Sequence, residues 1–180
     1  MQSDWVEQVI RYWFEELPHE AWFRKDTQVD DAIRERFGTV HDEVAQLRPE
    51  HCATPRACLA AVIVLDQFSR NMFRGSPRSF ASDELALSIA QHAIARGFDQ
   101  QLDRQQRWFL YMPFQHSEDR EVQARSIELF TQLNDPENLG YAQRHKEIID
   151  RFGRFPHRNE VLGRESSPQE LQFIATHRGF

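Results

Sequence analysis

The sequence predicts an all-α protein, and two observations support this fold class. Apolar residues recur at helical spacing along most of the 180-residue chain, between residues that typically begin or end helices. No stretch alternates apolar and polar residues strongly enough to compete as a β-strand. The connections are short and polar and contain no Gly/Ser-rich linker, so we expect a single domain over residues 1–180.

Three helices are predicted in the first part of the chain. The first begins after Ser3 or Asp4, either of which can cap it, and ends before Pro18. In the second, apolar residues follow each other every three or four positions over residues 29–47. The third opens with Pro55 at its first position and is apolar almost all round, which predicts the most buried helix of the fold.

The rest of the chain continues this pattern, giving about seven to eight helices in antiparallel pairs. Further helices are expected over residues 85–96, 103–112, 118–133 and 136–152, and from residue 168 onward. Pro113 is expected to end one of them, because proline lacks the N–H that an interior helical position uses. Ser117 is expected to open the next helix, and Ser167 with Glu170 forms a capping box for the last one.

Composition argues against several classes of protein. The formal net charge is −6, which argues against broad binding of nucleic acid. The apolar run that contains residues 58–65 is far shorter than a membrane span, and the acidic N-terminal stretch does not resemble a signal peptide. Cys52 and Cys58 have neither CxxC spacing nor a second pair for a zinc site. We therefore expect a cytoplasmic protein with two free thiols, no cofactor, no nucleic-acid partner and no membrane attachment.

Arginines cluster locally in this acidic chain. Only two of the 22 basic residues are lysines, and the stretch RFGRFPHRN, residues 151–159, contains three arginines and a histidine. Guanidinium groups this close repel one another unless carboxylates, helix carbonyls or a bound anion compensate them. The clustering is therefore compatible with an internal ion-pair network and with a site for an anionic ligand.

The first polar segment is LDQFSRNMFRG, residues 65–75. Asp66, Arg70 and Arg74 are spaced four residues apart, so they lie on one face for as long as the helix lasts. One interpretation is a helix C-terminus whose arginines satisfy the last carbonyl groups. The other is an anion clamp made of Arg70, Asn71 and Arg74.

The second polar segment is MPFQHSE, residues 112–118. His116 and Glu118 flank Ser117 at the predicted start of a helix. A histidine and a carboxylate in this position can serve as acid and base, as metal ligands, or only as a capping cluster. Because the HxE spacing is common by chance, the pattern does not select among these interpretations.

The third polar segment is RFGRFPHRNEVLGR, residues 151–164. Arg154 and Arg158 follow Gly153, so they lie beyond the predicted helix end and its dipole does not compensate their charge. Upstream of the segment, His145 shares a helix face with apolar residues, where a histidine is more often a core residue than a ligand.

In this order and at these separations, the three segments resemble the signature segments of the bacterial family called domain of unknown function 924. The resemblance extends from the N-terminal tryptophan-rich helix to the closing SSPQEL, although Ser69 stands where the family usually has proline. It implies a fold similar to that of tetratricopeptide-like helical proteins, and no established activity. The positions that match the family's motifs are Asp66, Gln67, Arg70, Asn71, Arg74, His116, Ser117, Glu118, His145, Arg151, Arg154, His157, Arg158, Asn159 and Arg164.

These observations predict that the three segments form a cleft that binds a small anionic ligand. No nucleophile is apparent in them, so any reaction is expected to be acid/base chemistry without a covalent intermediate. The expected catalytic residues are His157, His116 and Glu118. The expected ligand-binding residues are Asp66, Arg70, Asn71, Arg74, His145, Arg154, Arg158 and Asn159.

Other functions are also compatible with the sequence. The main alternative is a tetratricopeptide-like interaction module that grips an acidic peptide or a C-terminal carboxylate. A metal site built from histidines and Glu118, and an RNA contact through phenylalanines and arginines, are further possibilities. Finally, Asp66, Asp83, Glu118 and Asp119 can neutralise the arginines in a network that only holds the helices together.

Overall fold

A computed structural model describes residues 3–177, and no residue in this range belongs to a β-strand. The all-α prediction is confirmed. The α-helices are α1 (Ser3–Arg11), α2 (Thr27–Val44), α3 (Pro55–Val62), α4 (Ser69–Met72), α5 (Asp83–Ala95), α6 (Arg104–His116), α7 (Arg120–Gln132), α8 (Pro136–Phe152) and α9 (Pro168–Thr176). No helix within the described range is both long and apolar enough to cross a lipid bilayer.

The chain divides into two compact units. Of the described residues, unit 1 contains 3–74 and 78–113, and unit 2 contains 75–77 and 114–177. The single domain expected over residues 1–180 stays a prediction, as does the tetratricopeptide-like arrangement of the helices.

Unit 1 is built around the most buried helix. A π-helical segment, Ile63–Phe68, joins α3 to α4, so the three form one uninterrupted helical segment. Helices α1, α2 and α5 pack against it. Thr54 caps α3 by accepting the Ala57 N–H, and Pro55 occupies the first helical position. Residues 58–69 are all buried, so the prediction that this segment is the central, most buried helix is confirmed.

Unit 2 consists mainly of α7 and α8, which pack along each other, and α9, which packs against the segment Pro156–Arg158. Its core contains Ile148, Ile149 and Phe155. Asp135 caps α8, and Gly153 ends it with φ = 71°, a left-handed conformation that favours glycine. The capping box predicted at the start of α9 is present.

Two predicted helix boundaries are wrong. Helix α6 continues through Pro113 to His116, because most side chains around the proline are buried and their packing offsets one lost backbone hydrogen bond. The cap of α7 is Asp119 and not Ser117: the Asp119 carboxylate accepts the N–H groups of Glu121 and Val122. Ser117 and Glu118 therefore lie in the loop before α7.

Candidate functional site

In unit 1, the first arginine of the polar segment is held by two aspartates. The Arg70 guanidinium donates to both carboxylate oxygens of Asp83, at 2.8 and 2.9 Å, and lies 3.3 Å from the carboxylate of Asp66. Asp66 is fully buried and also accepts from the Gln67 amide at 2.7 Å. The ion pair between Asp66 and Arg70 that the four-residue spacing allows is therefore present, with Asp83 as a second partner.

The second arginine of unit 1 meets a carboxylate that the sequence reasoning missed. Arg74 donates two hydrogen bonds to Asp30 of α2, both at 2.8 Å, and Asn71 donates to the same carboxylate at 2.7 Å. Burial alone would raise the pKa of Asp30, but the Arg74 and Asn71 donors outweigh it and lower the pKa. Asp30 lies at helical spacing from the buried Ile33 and Phe37. A carboxylate on this apolar face is the sequence feature that could have indicated a buried ion pair.

In unit 2, Glu118 organises the third polar segment. Its carboxylate accepts two hydrogen bonds from Arg164, at 2.7 and 3.0 Å, and one from the backbone N–H of Phe155 at 2.8 Å. Burial would raise the pKa of Glu118, but these donors outweigh it and the pKa is lowered. Glu118 is therefore ionised, and its carboxylate is hydrogen-bonded to Arg164 and to the Phe155 backbone. This state fits a structural role better than proton transfer near neutral pH.

Arg154 also has a carboxylate partner that the sequence reasoning missed. Its guanidinium donates to both oxygens of Glu170, at 2.7 and 2.8 Å, and to the backbone carbonyl of Glu165 at 2.8 Å. Glu170 lies in the first turn of α9, sixteen residues further along the chain. The helix-spacing argument could not find this pair, because loop residues separate the two partners.

Asn159 holds the loop that leads to α9. Its side-chain amide donates to the Ser166 hydroxyl at 3.0 Å and accepts from Arg164 at 2.9 Å. Asn159 is fully buried, and Gly163 turns the loop with φ = 65°. Through these contacts, the Asn159 side chain stabilises the loop that connects it to Arg164 and Ser166.

Three histidines and Arg158 lie close together in unit 2, and we call these four residues the histidine–arginine cluster. The His145 ring lies 6.0 Å from that of His116 and 5.6 Å from that of Phe155, and the His157 ring lies 5.7 Å from Phe155. The Arg158 guanidinium lies 4.5 Å from the Phe155 ring centre and donates to the His116 carbonyl at 3.1 Å. Arg158 and His145 are buried, whereas His116 and His157 are partly exposed.

His145 is a neutral member of this cluster. Its Nδ1 lies 2.8 Å from the Tyr141 carbonyl, which can only accept, so Nδ1 carries the proton. Burial, followed by the charges of His116, Arg158 and His157, lowers the pKa of His145 to about 3. Its Nε2 is therefore an acceptor at neutral pH.

The structure brings residues 116–118 of the second polar segment together with the third segment within unit 2, through the contacts of Glu118, Arg158 and Arg164. Asp66, Arg70, Asn71 and Arg74 belong to unit 1. The convergence of all three segments in one cleft therefore stays a prediction. Within residues 3–177, no group of three or more His, Cys, Asp or Glu side chains is arranged to hold a metal ion.

The chain is thus an all-helical protein in which ion pairs between arginines and carboxylates hold the polar segments. The sequence pattern of the family described as bacterial protein of unknown function (DUF924) matches residues 9–178, and the chain belongs to this family. The family resemblance is thereby confirmed.

The chain is also similar to a solved structure, that of the protein of unknown function ATU0120 from Agrobacterium tumefaciens. The two are 37% identical, and the TM-score of 0.90 is reached over 96% of this chain and 97% of the other. A comparison with curated proteins finds no match.

Proposed function

We propose that the histidine–arginine cluster of unit 2 binds a small anionic molecule, a phosphate or a carboxylate, and exchanges a proton with it. The observation that carries the proposal is the positive surroundings of His145. Arg158 is always charged, and His116 and His157 can each take up a proton. Beside the effect of burial, the charges of these three residues disfavour a positive charge on His145, and the same charges favour a negative charge nearby.

The residues divide the work according to their chemistry. Arg158 supplies a fixed positive charge, and its stacking on Phe155 orients the guanidinium plane. His116 and His157 are the proton carriers, because they are partly exposed and imidazoles titrate near neutral pH. His145 is too weak a base for this role, so it contributes an acceptor that orients a donor group of the ligand.

The role of Glu118 differs from the one expected of it. A carboxylate bound by Arg164 and by the Phe155 N–H is already ionised, so it cannot act as a general acid at neutral pH. Its contribution is to fix the position of residues 155–164, and with them Arg158. The catalytic assignment is therefore reduced to His116 and His157.

A thermal-unfolding screen tests the proposal. Wild type, Arg158→Ala and the control Arg151→Ala are heated with inorganic phosphate, adenosine monophosphate, citrate, glutamate and an acidic peptide with a free C-terminus. A ligand at a hundredfold excess over Kd adds about 2.7 kcal/mol, which moves the midpoint of a domain this size by several degrees. Arg151 is an exposed arginine at the end of α8, so its removal tests for a nonspecific charge effect.

We expect one class of small anion to raise the midpoint of wild type and of Arg151→Ala but not that of Arg158→Ala. A shift with the acidic peptide alone would replace the small-molecule assignment with peptide binding. Equal shifts in all three proteins would place the anion elsewhere and contradict the proposal.

A further inference from the structure

A cavity of about 550 Å³ lies in unit 1, beside the start of α3. Its volume is that of a small-molecule site, and its wall combines apolar and polar side chains. Trp5, Leu102 and Ala57 supply apolar surface, and His51 and Gln106 supply polar groups. The cavity is separate from the histidine–arginine cluster, since all of its lining residues belong to unit 1.

Cys52 is part of the cavity wall. Its overall exposed fraction is only 1%, and the cavity is the side on which a small thiol-reactive molecule comes nearest to it. A buried cysteine with no cavity beside it is normally inert, because reactivity needs both an accessible sulfur and thiolate character. The position of Cys52 therefore distinguishes it from an ordinary core cysteine.

A second cysteine lies against the first. Cys58 is the fourth residue of α3, and helical side chains lean toward the helix N-terminus, which is where Cys52 lies. The Cys58 thiol donates to the Cys52 carbonyl at 3.3 Å. A hydrogen bond from the Cys58 thiol also lowers the pKa of Cys52, and the same interaction together with burial raises the pKa of Cys58.

We propose that Cys52 and Cys58 form an oxidisable dithiol, in which Cys52 attacks a small hydroperoxide that enters the cavity and Cys58 closes an intramolecular disulfide. The two thiols differ in the way the roles require. Cys52 lines the cavity, whereas Cys58 is fully buried behind it and contacts the backbone of Cys52. The proposal is independent of the anion site, because it uses other residues in the other unit.

The reaction balances with a hydroperoxide as the only oxidant. The Cys52 thiolate attacks one peroxide oxygen, the O–O bond breaks, and the departing alkoxide or hydroxide takes up a proton, which leaves a sulfenic acid on Cys52. The Cys58 sulfur then attacks the Cys52 sulfur, the S–O bond breaks, and the departing hydroxide takes the Cys58 proton to form water. The hydroperoxide is reduced to an alcohol or water, and the two thiols are oxidised to one disulfide.

Mass spectrometry of the intact, reduced, full-length protein tests the proposal. Hydrogen peroxide and cumene hydroperoxide are added at equimolar amounts in separate arms. Wild type is expected to lose two hydrogen atoms and both titratable thiols, and dithiothreitol should restore them. Cys58→Ser should instead gain one oxygen that dimedone traps on Cys52, and Cys52→Ser should react about tenfold more slowly than Cys58→Ser, because Cys58 does not face the cavity.

The role of the cavity is tested with a matched pair of substitutions. Ala57→Leu places a larger side chain in the cavity wall, and Ala95→Leu makes the same change at an exposed position at the end of α5. Ala57→Leu should slow oxidation by cumene hydroperoxide more than oxidation by hydrogen peroxide, while Ala95→Leu should change neither rate.

Two results would overturn the proposal. One is that neither cysteine of wild type reacts until urea unfolds the protein. The other is that Cys52→Ser and Cys58→Ser, each shown to be folded by circular dichroism, react at the same rate. The wild-type measurement decides the question alone if either variant fails to fold.

Discussion

At the residue scale, two neighbouring aspartates of α2 meet arginines in very different surroundings. Asp30 is buried and receives hydrogen bonds from Arg74 and Asn71. Asp31 pairs with Arg34, and the side chain of Asp31 is 66% exposed. The same chemical pair is therefore present once with a buried carboxylate and once with an exposed one, which allows a direct comparison of what burial contributes.

Asp30→Asn is expected to lower the free energy of unfolding by about 1–3 kcal/mol, because it leaves the Arg74 charge without its carboxylate partner. The value is below that of a fully buried pair because the Arg74 side chain is 38% exposed. Asp31→Asn should cost no more than about 0.5 kcal/mol. Urea unfolding of the two variants provides the measurement, and equal losses would contradict the account of Asp30.

Asp30 and Glu170 also show why the sequence predicted the arginines better than their partners. The spacing of Asp66 and Arg70 within one helix is visible in the sequence, and that pair forms. Arg74 and Arg154 instead meet carboxylates that lie 44 and 16 residues away along the chain. Contacts at such separations depend on how helices and loops pack, which helical periodicity does not specify.

At the element scale, one ion pair connects α9 to the loop after α8. Glu170 accepts from Arg154 and also from the Ser167 N–H of its own capping box. The Arg154 guanidinium, assisted by the Ser167 N–H, lowers the pKa of Glu170 to about 2. A carboxyl group with a lowered folded-state pKa stabilises the folded protein above its unfolded pKa, here 4.5, and loses that effect as the pH falls toward 2.

Glu170→Gln is therefore expected to destabilise the protein at neutral pH, and the difference from wild type should shrink as the pH falls from about 5 to about 2. Denaturant unfolding at a series of pH values measures this difference. Glu165→Gln is the control, because that side chain is exposed and only its backbone carbonyl accepts from Arg154. A difference that stays constant with pH would show that the charge of Glu170 does not stabilise α9.

Helix boundaries show where local sequence rules are sufficient and where packing overrides them. Thr54, Asp135 and Ser167 cap their helices, as residues of these types commonly do, because capping depends on hydrogen bonds between near neighbours in the chain. Pro113 does not end α6, because the side chains that surround it are buried against other elements. Local rules therefore account for these three caps, whereas the cap of α7 was predicted two residues too early and tertiary packing determined what happens at the proline.

At the scale of the whole molecule, the sequence was sufficient for the fold class and the family, because helical periodicity and long polar motifs extend over most of the chain. Only part of the candidate site could be predicted from the sequence. His116, His145, His157 and Arg158 were all named from the motifs, but their arrangement depends on the packing of unit 2. The cavity beside Cys52 could not be predicted from the sequence, because the spacing of cysteines along the chain does not indicate where a cavity lies.

The central claim is that the histidine–arginine cluster binds a small anion through Arg158. Nitrogen-15 NMR of the histidine imidazoles tests it most directly, with inorganic phosphate, adenosine monophosphate and citrate titrated separately into wild type and Arg158→Ala. We expect saturable shifts at His116 and His157 with one anion class in wild type, no such shifts in Arg158→Ala, and a neutral His145 throughout. The account would be contradicted if no anion moves these resonances, or if they move equally in the two proteins.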